Sequence, residues 1–146
     1  MTKDILINIS GTQVDIDEEE PVELVTTGAY YLRKGKHYIL YDEIADDNEV
    51  VKNVLKIGPQ TVELTKKGGT GSHMVFEKGK ENLSYYDTPF GSLLLGVNTS
   101  DIQWQEREDH MKLRVNYDLT INSDHISNCI IDVSIKPNVV SEPSHI

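Results

Sequence analysis

Strict alternation of apolar and polar residues is the feature that most constrains what this chain can fold into. In the segment 111–121 every second residue is apolar, and the residues between them are polar or charged. Successive side chains of a β-strand point to opposite faces, so the segment predicts a strand with one buried face and one face in water. The apolar face comprises Met111, Leu113, Val115, Tyr117, Leu119 and Ile121.

The same period of two recurs along most of the chain, and helical periodicity is nearly absent. Turn residues such as Gly35 and Gly58-Pro59 separate the alternating segments. The stretch from Val51 to Leu55 is spaced like a helix face, but its density of valines favours a strand. About eight to ten strands follow, and a sheet of that size must close or fold over to hide its edges. The fold class is therefore all-β, with a single antiparallel up-and-down β-barrel and helix below about 15% of residues.

The length of 146 residues suits one domain that can bury its own core. We assign residues 1–136 to the barrel and residues 137–146 to a flexible C-terminal tail, because the tail has little apolar content. The lone Cys129 cannot form an internal disulfide, and neither a signal peptide nor an apolar run of about 20 residues is visible. We expect a cytoplasmic protein that does not enter a membrane.

The sequence contains no recognisable catalytic or metal-binding motif. The glycine-rich segment 68–72 lacks the lysine and the following helix that a phosphate-binding loop needs. The five histidines do not show the close spacing of a zinc site. Cys129 sits in an apolar strand, where a thiol is usually inert packing. We predict no catalytic residues, no metal and no cofactor, and an enzyme is the least favoured class.

The seven tyrosines all lie on predicted strands and give the most information about function. Tyr31 shares a strand face with Arg33, and Tyr41 shares one with Glu43. If these faces point inward, the barrel has a polar patch inside; otherwise the tyrosines pack across strands on the outer surface. The hydroxyl of Tyr117 enters an apolar interior and needs a partner. The predicted ligand-binding set, which also supplies the candidate partners of Tyr117, is Tyr31, Arg33, Tyr41, Glu43, Tyr86 and Tyr117.

Four short runs in a fixed order carry a family resemblance. They are the runs 23–31, 38–43, 74–79 and 86–91, read as ELVTTGAYY, YILYDE, MVFEKG and YDTPFG, followed by Thr99 and Tyr117. The chain resembles the YwiB-like family, small proteins of Gram-positive bacteria described only as a domain of unknown function. The resemblance extends from about Ile5 to Ile135. It implies a calycin-type barrel, similar to lipocalins and fatty-acid-binding proteins, and it implies no activity.

Two positions depart from the family pattern. The family favours Arg before the glycine of the fifth hairpin and Thr-Glu-Gly in the second strand, whereas this chain has Lys67-Gly68 and Thr26-Thr27-Gly28. If the family's Arg and Glu form an interior ion pair, that pair is weakened or lost here.

Two functions remain open from the sequence. The first is a calycin-like barrel that binds a small, partly apolar molecule in its interior, because barrels of about eight strands can hold one small ligand. The alternative is a solid-cored barrel that acts as a protein–protein interaction module through its outer surface. The sequence does not decide the oligomeric state. An interior lined by tyrosine and aliphatic side chains with a few convergent polar groups would favour the first function.

The charge distribution predicts that the chain does not bind nucleic acid. The formal net charge is −10, and the basic residues do not gather into a stripe, so a phosphate backbone would be repelled by most of the surface. We expect no useful affinity for random-sequence RNA at physiological salt in a filter-binding assay. Sub-micromolar binding would contradict the prediction.

Overall fold

The computed structural model describes residues 4–13, 22–44, 47–67 and 72–138, and in these residues it contains ten β-strands and no helix. The all-β prediction is confirmed. None of the described segments forms a helix long and apolar enough to cross a membrane. The predicted flexible tail lies outside the described residues from residue 139 onwards. The strands are β1 (Asp4–Gln13), β2 (Val22–Arg33), β3 (Lys36–Ile44), β4 (Val50–Ile57), β5 (Thr61–Lys67), β6 (Ser72–Glu77), β7 (Glu81–Thr88), β8 (Gly91–Glu106), β9 (Met111–Ile121) and β10 (Asp124–Pro137).

All ten strands belong to one antiparallel sheet, in the order β6-β5-β4-β3-β2-β1-β10-β9-β8-β7. The sheet curls until β6 contacts both β7 and β8, which nearly closes the barrel. The turn after β6 is fastened to β8, because Gly79 N–H donates to the Thr99 carbonyl at 2.8 Å and Lys78 pairs with Asp101 at 3.4 Å. Near-closure hides most of the strand edges that an open ten-stranded sheet would expose.

Two tight turns show why the hairpins form where the sequence predicts them. Lys34 and Gly35 have φ angles of 52° and 77°, and Asn122 and Ser123 have φ angles of 51° and 73°. Two consecutive residues with positive φ twist a two-residue turn in the same sense as the strands that it joins. The stretch from Val51 to Leu55 forms β4 and not a helix.

Gly28 allows β1, β2 and β3 to pack closely. A Cβ atom at this position would collide with the Leu40 carbonyl oxygen and with the Ile7 side chain. Gly28 lies opposite Ile5 on one side and opposite Tyr41 on the other. The missing side chain therefore leaves room for Tyr41 inside the barrel.

The core fills the barrel from one side of the lumen to the other. On β9, the side chains of Met111, Leu113 and Val115 are at most 2% exposed, while Lys112 and Arg114 are exposed, as the alternation predicts. Further along the same face, burial becomes partial, so the inner face of β9 is only partly covered by core. The core residues are Ile5, Ile7, Tyr30, Ile39, Tyr41, Leu55, Ile57, Val62, Phe76, Val97, Met111, Leu113, Val115, Val133 and Ile135.

A bulge in β8 changes which residues face inward. The pairing with β9 shifts between Thr99 and Asp101, so the strand has one extra residue there. Before the bulge Val97 and Thr99 face the interior, and beyond it Ile102 and Trp104 pack against the core. The bulge explains how both halves of β8 keep an apolar side towards the core.

Replacing Val115 by lysine should prevent folding, because the ammonium group would enter a position that is 1% exposed. We expect Val115→Lys to lose its cooperative thermal transition, a destabilisation of about 4 kcal/mol or more. Asn98→Lys is the matched control, because Asn98 is exposed and lies opposite Glu81 and Asp118. A Val115→Lys protein that melts like the control would mean that the two faces of β9 are assigned the wrong way round.

Candidate functional site

The two ends of the barrel differ in how completely they are filled. The β2–β3 and β4–β5 turns lie at one end, termed here the Gly35 end. The β9–β10 turn and residues 47–49 lie at the other, termed the Asn122 end. The inward side chains towards the Asn122 end are of mixed chemistry, and several aliphatic ones keep intermediate exposure, so this end holds the candidate site.

The Gly35 end is closed by His37 and its neighbours. The Tyr30 hydroxyl lies 2.7 Å from His37 Nδ1, and Glu106 Oε1 lies 3.4 Å from His37 Nε2. The imidazole also packs against Trp104, with 4.8 Å between ring centroids. These contacts occupy both ring nitrogens and one face of the ring. The cluster therefore plugs this end, a role that the sequence analysis did not predict.

At the Asn122 end, the inner surface of β8 and β9 is apolar but incompletely buried. Leu95 lies opposite Ile121, and Val97 lies opposite Leu119. Their strand faces point inward, yet Leu95, Leu119 and Ile121 keep intermediate exposure and are not part of the core. We term these three residues, with the likewise half-buried Leu93, the apolar inner wall. A partly exposed apolar inner surface of this kind can accept the apolar part of a small molecule.

Beside the apolar inner wall lies a group of polar side chains on the same inward face. Thr99 lies opposite Tyr117, which in turn lies opposite Cys129. Thr99 and Ser127 are 0% exposed and Cys129 is 7% exposed. On β7, Asn82 lies opposite Val97 and so shares this face. We term the group Asn82, Thr99, Tyr117, Ser127 and Cys129 the polar cluster.

Two atoms of the polar cluster are buried and make no hydrogen bond to a described protein atom. They are Thr99 Oγ1 and Asn82 Nδ2. A buried polar atom without a partner costs about 1–3 kcal/mol, and such atoms are rare in folded proteins. The polar cluster therefore has hydrogen-bonding capacity that the described part of the chain does not use.

Tyr117 finds a partner that the sequence analysis did not consider. Burial, and then the neighbouring Cys129, raises the pKa of Tyr117. Cys129 Sγ lies 3.2 Å from Ser127 Oγ, and the Tyr117 ring meets Phe76 edge-on at 5.0 Å between centroids. The buried thiol thus lies among polar neighbours inside the barrel.

A second polar group faces inward from β3, β4 and β5 at the same end. Tyr41 lies opposite Asn53, which lies opposite Lys66, and Lys66 Nζ reaches Glu43 Oε1 at 3.0 Å. Asn53 is 1% exposed; its Nδ2 donates to the Val51 carbonyl at 3.3 Å, but its Oδ1 has no partner among the described atoms. Burial, and then the charge of Glu43, raises the pKa of Tyr41. These four residues, Tyr41, Glu43, Asn53 and Lys66, are termed the ion-pair cluster.

The structure divides the predicted ligand-binding residues between the two surfaces of the barrel. Tyr41, Glu43 and Tyr117 face inward at the Asn122 end. Tyr31 and Arg33 instead face outward, where they line a groove of about 300 Å³ together with Tyr38, Leu40 and Val54. The Tyr86 side chain lies outside the described part of the chain. For the Tyr31–Arg33 face, the outward alternative is therefore correct, and ligand binding by the six residues stays a prediction.

Sequence reasoning missed Asn53, Thr99 and Ser127 as interior polar residues. A signal was present for Asn53, which alternates in phase with Leu55 and Ile57, two residues of the apolar face of β4. Ser127 was hidden by an irregularity in the pairing of β10 with β9, between His125 and Ser127.

The outer surface carries a larger groove, of about 560 Å³, across β2, β1, β10, β9 and β8. Its side chains largely satisfy one another. Arg114 Nε and Nη2 donate to the two carboxylate oxygens of Asp132 at 2.7 and 3.2 Å, and Asn8 donates to Glu23 at 3.1 Å. The unpartnered interior groups at the Asn122 end therefore point more strongly to a ligand than this groove does.

The raised tyrosine pKa values predict a loss of stability in alkali. An unfolded tyrosine ionises near its ordinary value of 10.0, but Tyr41 and Tyr117 ionise at higher pH when folded. Their contribution to stability is complete below pH 10 and is lost as the pH rises above it, by about 1 kcal/mol for each tyrosine at pH 11. Urea unfolding at pH 9 and pH 11 measures the loss.

The double variant Tyr41→Phe/Tyr117→Phe should lose less stability between pH 9 and pH 11 than the unchanged protein. Tyr85→Phe is the control, because Tyr85 is 78% exposed on β7, and it should behave as the unchanged protein does. Equal losses in all three proteins would show that the two inward hydroxyls do not control the alkaline transition.

Comparison with known proteins agrees with this architecture. The chain is 27% identical over 129 residues, 87% of its own length and 90% of the relative's, to the uncharacterized beta-barrel protein YwiB of Bacillus subtilis (strain 168). The crystal structure of the ywiB protein from Bacillus subtilis superposes with a TM-score of 0.76 at 24% identity, covering 94% of this chain and 93% of that one. Residues 7–133 match the family described as Domain of unknown function (DUF1934). The chain therefore belongs to the DUF1934 family of β-barrel proteins, whose function is unknown.

Proposed function

We propose that this protein is a calycin-like barrel that binds a small, partly apolar molecule at the Asn122 end of its interior. One observation carries the proposal: Thr99 and Asn53, which are 0% and 1% exposed, each have on the inward face of the sheet a polar atom without a partner among the described residues, and on β8 the apolar inner wall follows Thr99 and Val97 towards the Asn122 end. Polar and apolar groups of this kind together make a ligand site.

Energetics support a site over a solid core. Each unpartnered buried atom costs about 1–3 kcal/mol, while the net stability of a folded domain is only about 5–15 kcal/mol. A core that served stability alone would have an aliphatic residue in place of Thr99, because valine has nearly the same shape and no hydroxyl. A bound molecule that satisfies these atoms recovers the cost only when it is present.

The chemistry of the inward groups supports binding without reaction. The polar cluster consists of hydroxyl, amide and thiol groups, and the carboxylate of Glu43 is paired with the ammonium of Lys66. The inward tyrosines, Tyr41 and Tyr117, add hydroxyls that stay protonated at neutral pH because burial raises their pKa values. We place this activity in the cytoplasm, since a free thiol at Cys129 fits a reducing compartment.

A second candidate function, a protein-interaction module, is favoured by the outer surface. The groove at Tyr31 and Leu40 is mainly apolar, and both side chains are more than a third exposed. On β7, one of the two edges of the sheet, Leu83 and Tyr85 are 60% and 78% exposed. Exposed apolar residues on an edge strand are a common feature of protein-binding surfaces.

The neutral dye Nile red, whose fluorescence rises in apolar surroundings, distinguishes the two functions. We expect saturable binding to the unchanged protein and at least fivefold weaker binding to Leu119→Gln, because a polar amide would replace part of the apolar inner wall. Leu83→Gln is the matched control, since it makes the same change on the outer face of β7 and should bind as the unchanged protein does.

Circular dichroism and thermal melting of both variants establish that the barrel is intact before binding is compared. Saturable binding that weakens in Leu119→Gln alone supports the interior site. Absence of binding, or weakening in Leu83→Gln instead, would contradict the interior site and favour the interaction module.

A further inference from the structure

We infer that the polar cluster holds an uncharged carbonyl group and that the apolar chain attached to it lies along the apolar inner wall. The inference rests on the proposed function and goes beyond it, because it names the part of the ligand that enters the barrel. It is carried by the unpartnered atoms Asn82 Nδ2 and Thr99 Oγ1 and by the neutral groups around them.

The unpartnered groups require a hydrogen-bond acceptor. Asn82 Nδ2 carries two N–H groups and can only donate, and the Thr99 hydroxyl can donate once. An ammonium or an alkyl group leaves the Asn82 donor unsatisfied. A carbonyl oxygen has two lone pairs and can accept from both residues at once.

The two donors lie on neighbouring strands and on the same face of the sheet. Asn82 lies opposite Val97, and Thr99 is two residues further along β8 on the same inward face. Such diagonal neighbours are about 7–8 Å apart between strands, and their side chains reach into the space between them. Their buried atoms bond neither to each other nor to another described protein atom.

The surroundings favour a neutral head group over a charged one. Of the five residues of the polar cluster, none carries a formal positive charge, and the Tyr117 hydroxyl stays protonated because burial raises its pKa. A carboxylate placed here would lose its hydration without gaining a cation, which is costly in a buried site. On the other inward surface, Lys66 is already neutralised by Glu43 at 3.0 Å.

The direction of the apolar part follows from the register. Starting from Thr99, the next inward positions on β8 towards the Asn122 end are Val97 and Leu95, and they lie opposite Leu119 and Ile121. An alkyl chain that starts at the carbonyl therefore meets aliphatic side chains for the rest of its length. Ester, ketone and primary-amide head groups share the required chemistry.

A matched series of ligands tests the head group. Decanamide, decanoate and decylamine have the same apolar chain and carry a neutral carbonyl, an anion and a cation at neutral pH. Each competes with Nile red for the unchanged protein. We expect decanamide to displace the dye at an at least tenfold lower concentration than decanoate or decylamine does.

Two nearly isosteric variants locate the effect. Asn82→Leu and Thr99→Val remove the donors while keeping the side-chain shape. Each should weaken the binding of decanamide about five- to tenfold while Nile red still binds. Asn98→Leu, on the exposed outer face of β8, is the control and should leave decanamide unchanged. Thermal melting of each variant confirms that the barrel is folded.

The outcomes separate the head group from the binding site itself. The carbonyl assignment is overturned if decanoate or decylamine is the best competitor. It is also overturned if Asn82→Leu and Thr99→Val leave the affinity for decanamide unchanged while Nile red binds. In both cases the interior site stands. If decanoate is best and Lys66→Met abolishes that preference, the head group belongs at the ion-pair cluster. If Nile red itself does not bind, the proposed function fails and the head group with it.

Discussion

The pairing of β1 with β10 is the interaction on which the rest of the barrel depends. It joins Ile7 to Ile135 and Ile9 to Val133, so the two ends of the chain meet in the middle of the sheet. Forming it requires closure of a loop almost as long as the domain, which costs conformational entropy before the contacts form. Burial of apolar side chains offsets this cost, since Ile7 and Ile135 are both 0% exposed. Once β1 and β10 are paired, every other neighbour in the sheet follows from a connection between consecutive strands.

Along each strand, the alternation of inward and outward residues determines which side chains each end of the barrel presents to the interior. The same face of β9 supplies Met111 and Leu113 to the core and, further along, Leu119 to an accessible wall. The Gly35 end is plugged by aromatic rings around His37. The Asn122 end mixes hydroxyl, amide and aliphatic groups at the limit of the core. In the described part of the chain, the two ends of the barrel therefore present different chemistry to the interior.

The sequence predicts the fold well and the site only in part, for a physical reason. Period-two alternation in β9 separates two faces without ambiguity, so the class and the buried face follow directly. The adjacent tyrosines Tyr30 and Tyr31 are the same residue type on opposite faces of β2, and the pairing of Tyr30 with the buried Ile39 places Tyr30 inward. The partner of Tyr117 depends on the register between β9 and β10, which includes an irregularity that local patterning does not encode.

Stability and the proposed binding oppose each other at the limit of the core. Thr99 and Asn53 occupy positions whose neighbours along the strand, Val97 and Leu55, are buried aliphatic residues. An aliphatic side chain at either position would remove an unsatisfied polar atom and extend the core, because such replacements can be neutral or stabilising when shape is kept. It would also remove a directional group from that point of the lumen, and an apolar surface alone discriminates poorly between ligands. Retaining the polar atoms is physically reasonable when a ligand supplies the missing hydrogen bonds, and this argues for a specific occupant over a purely apolar filling.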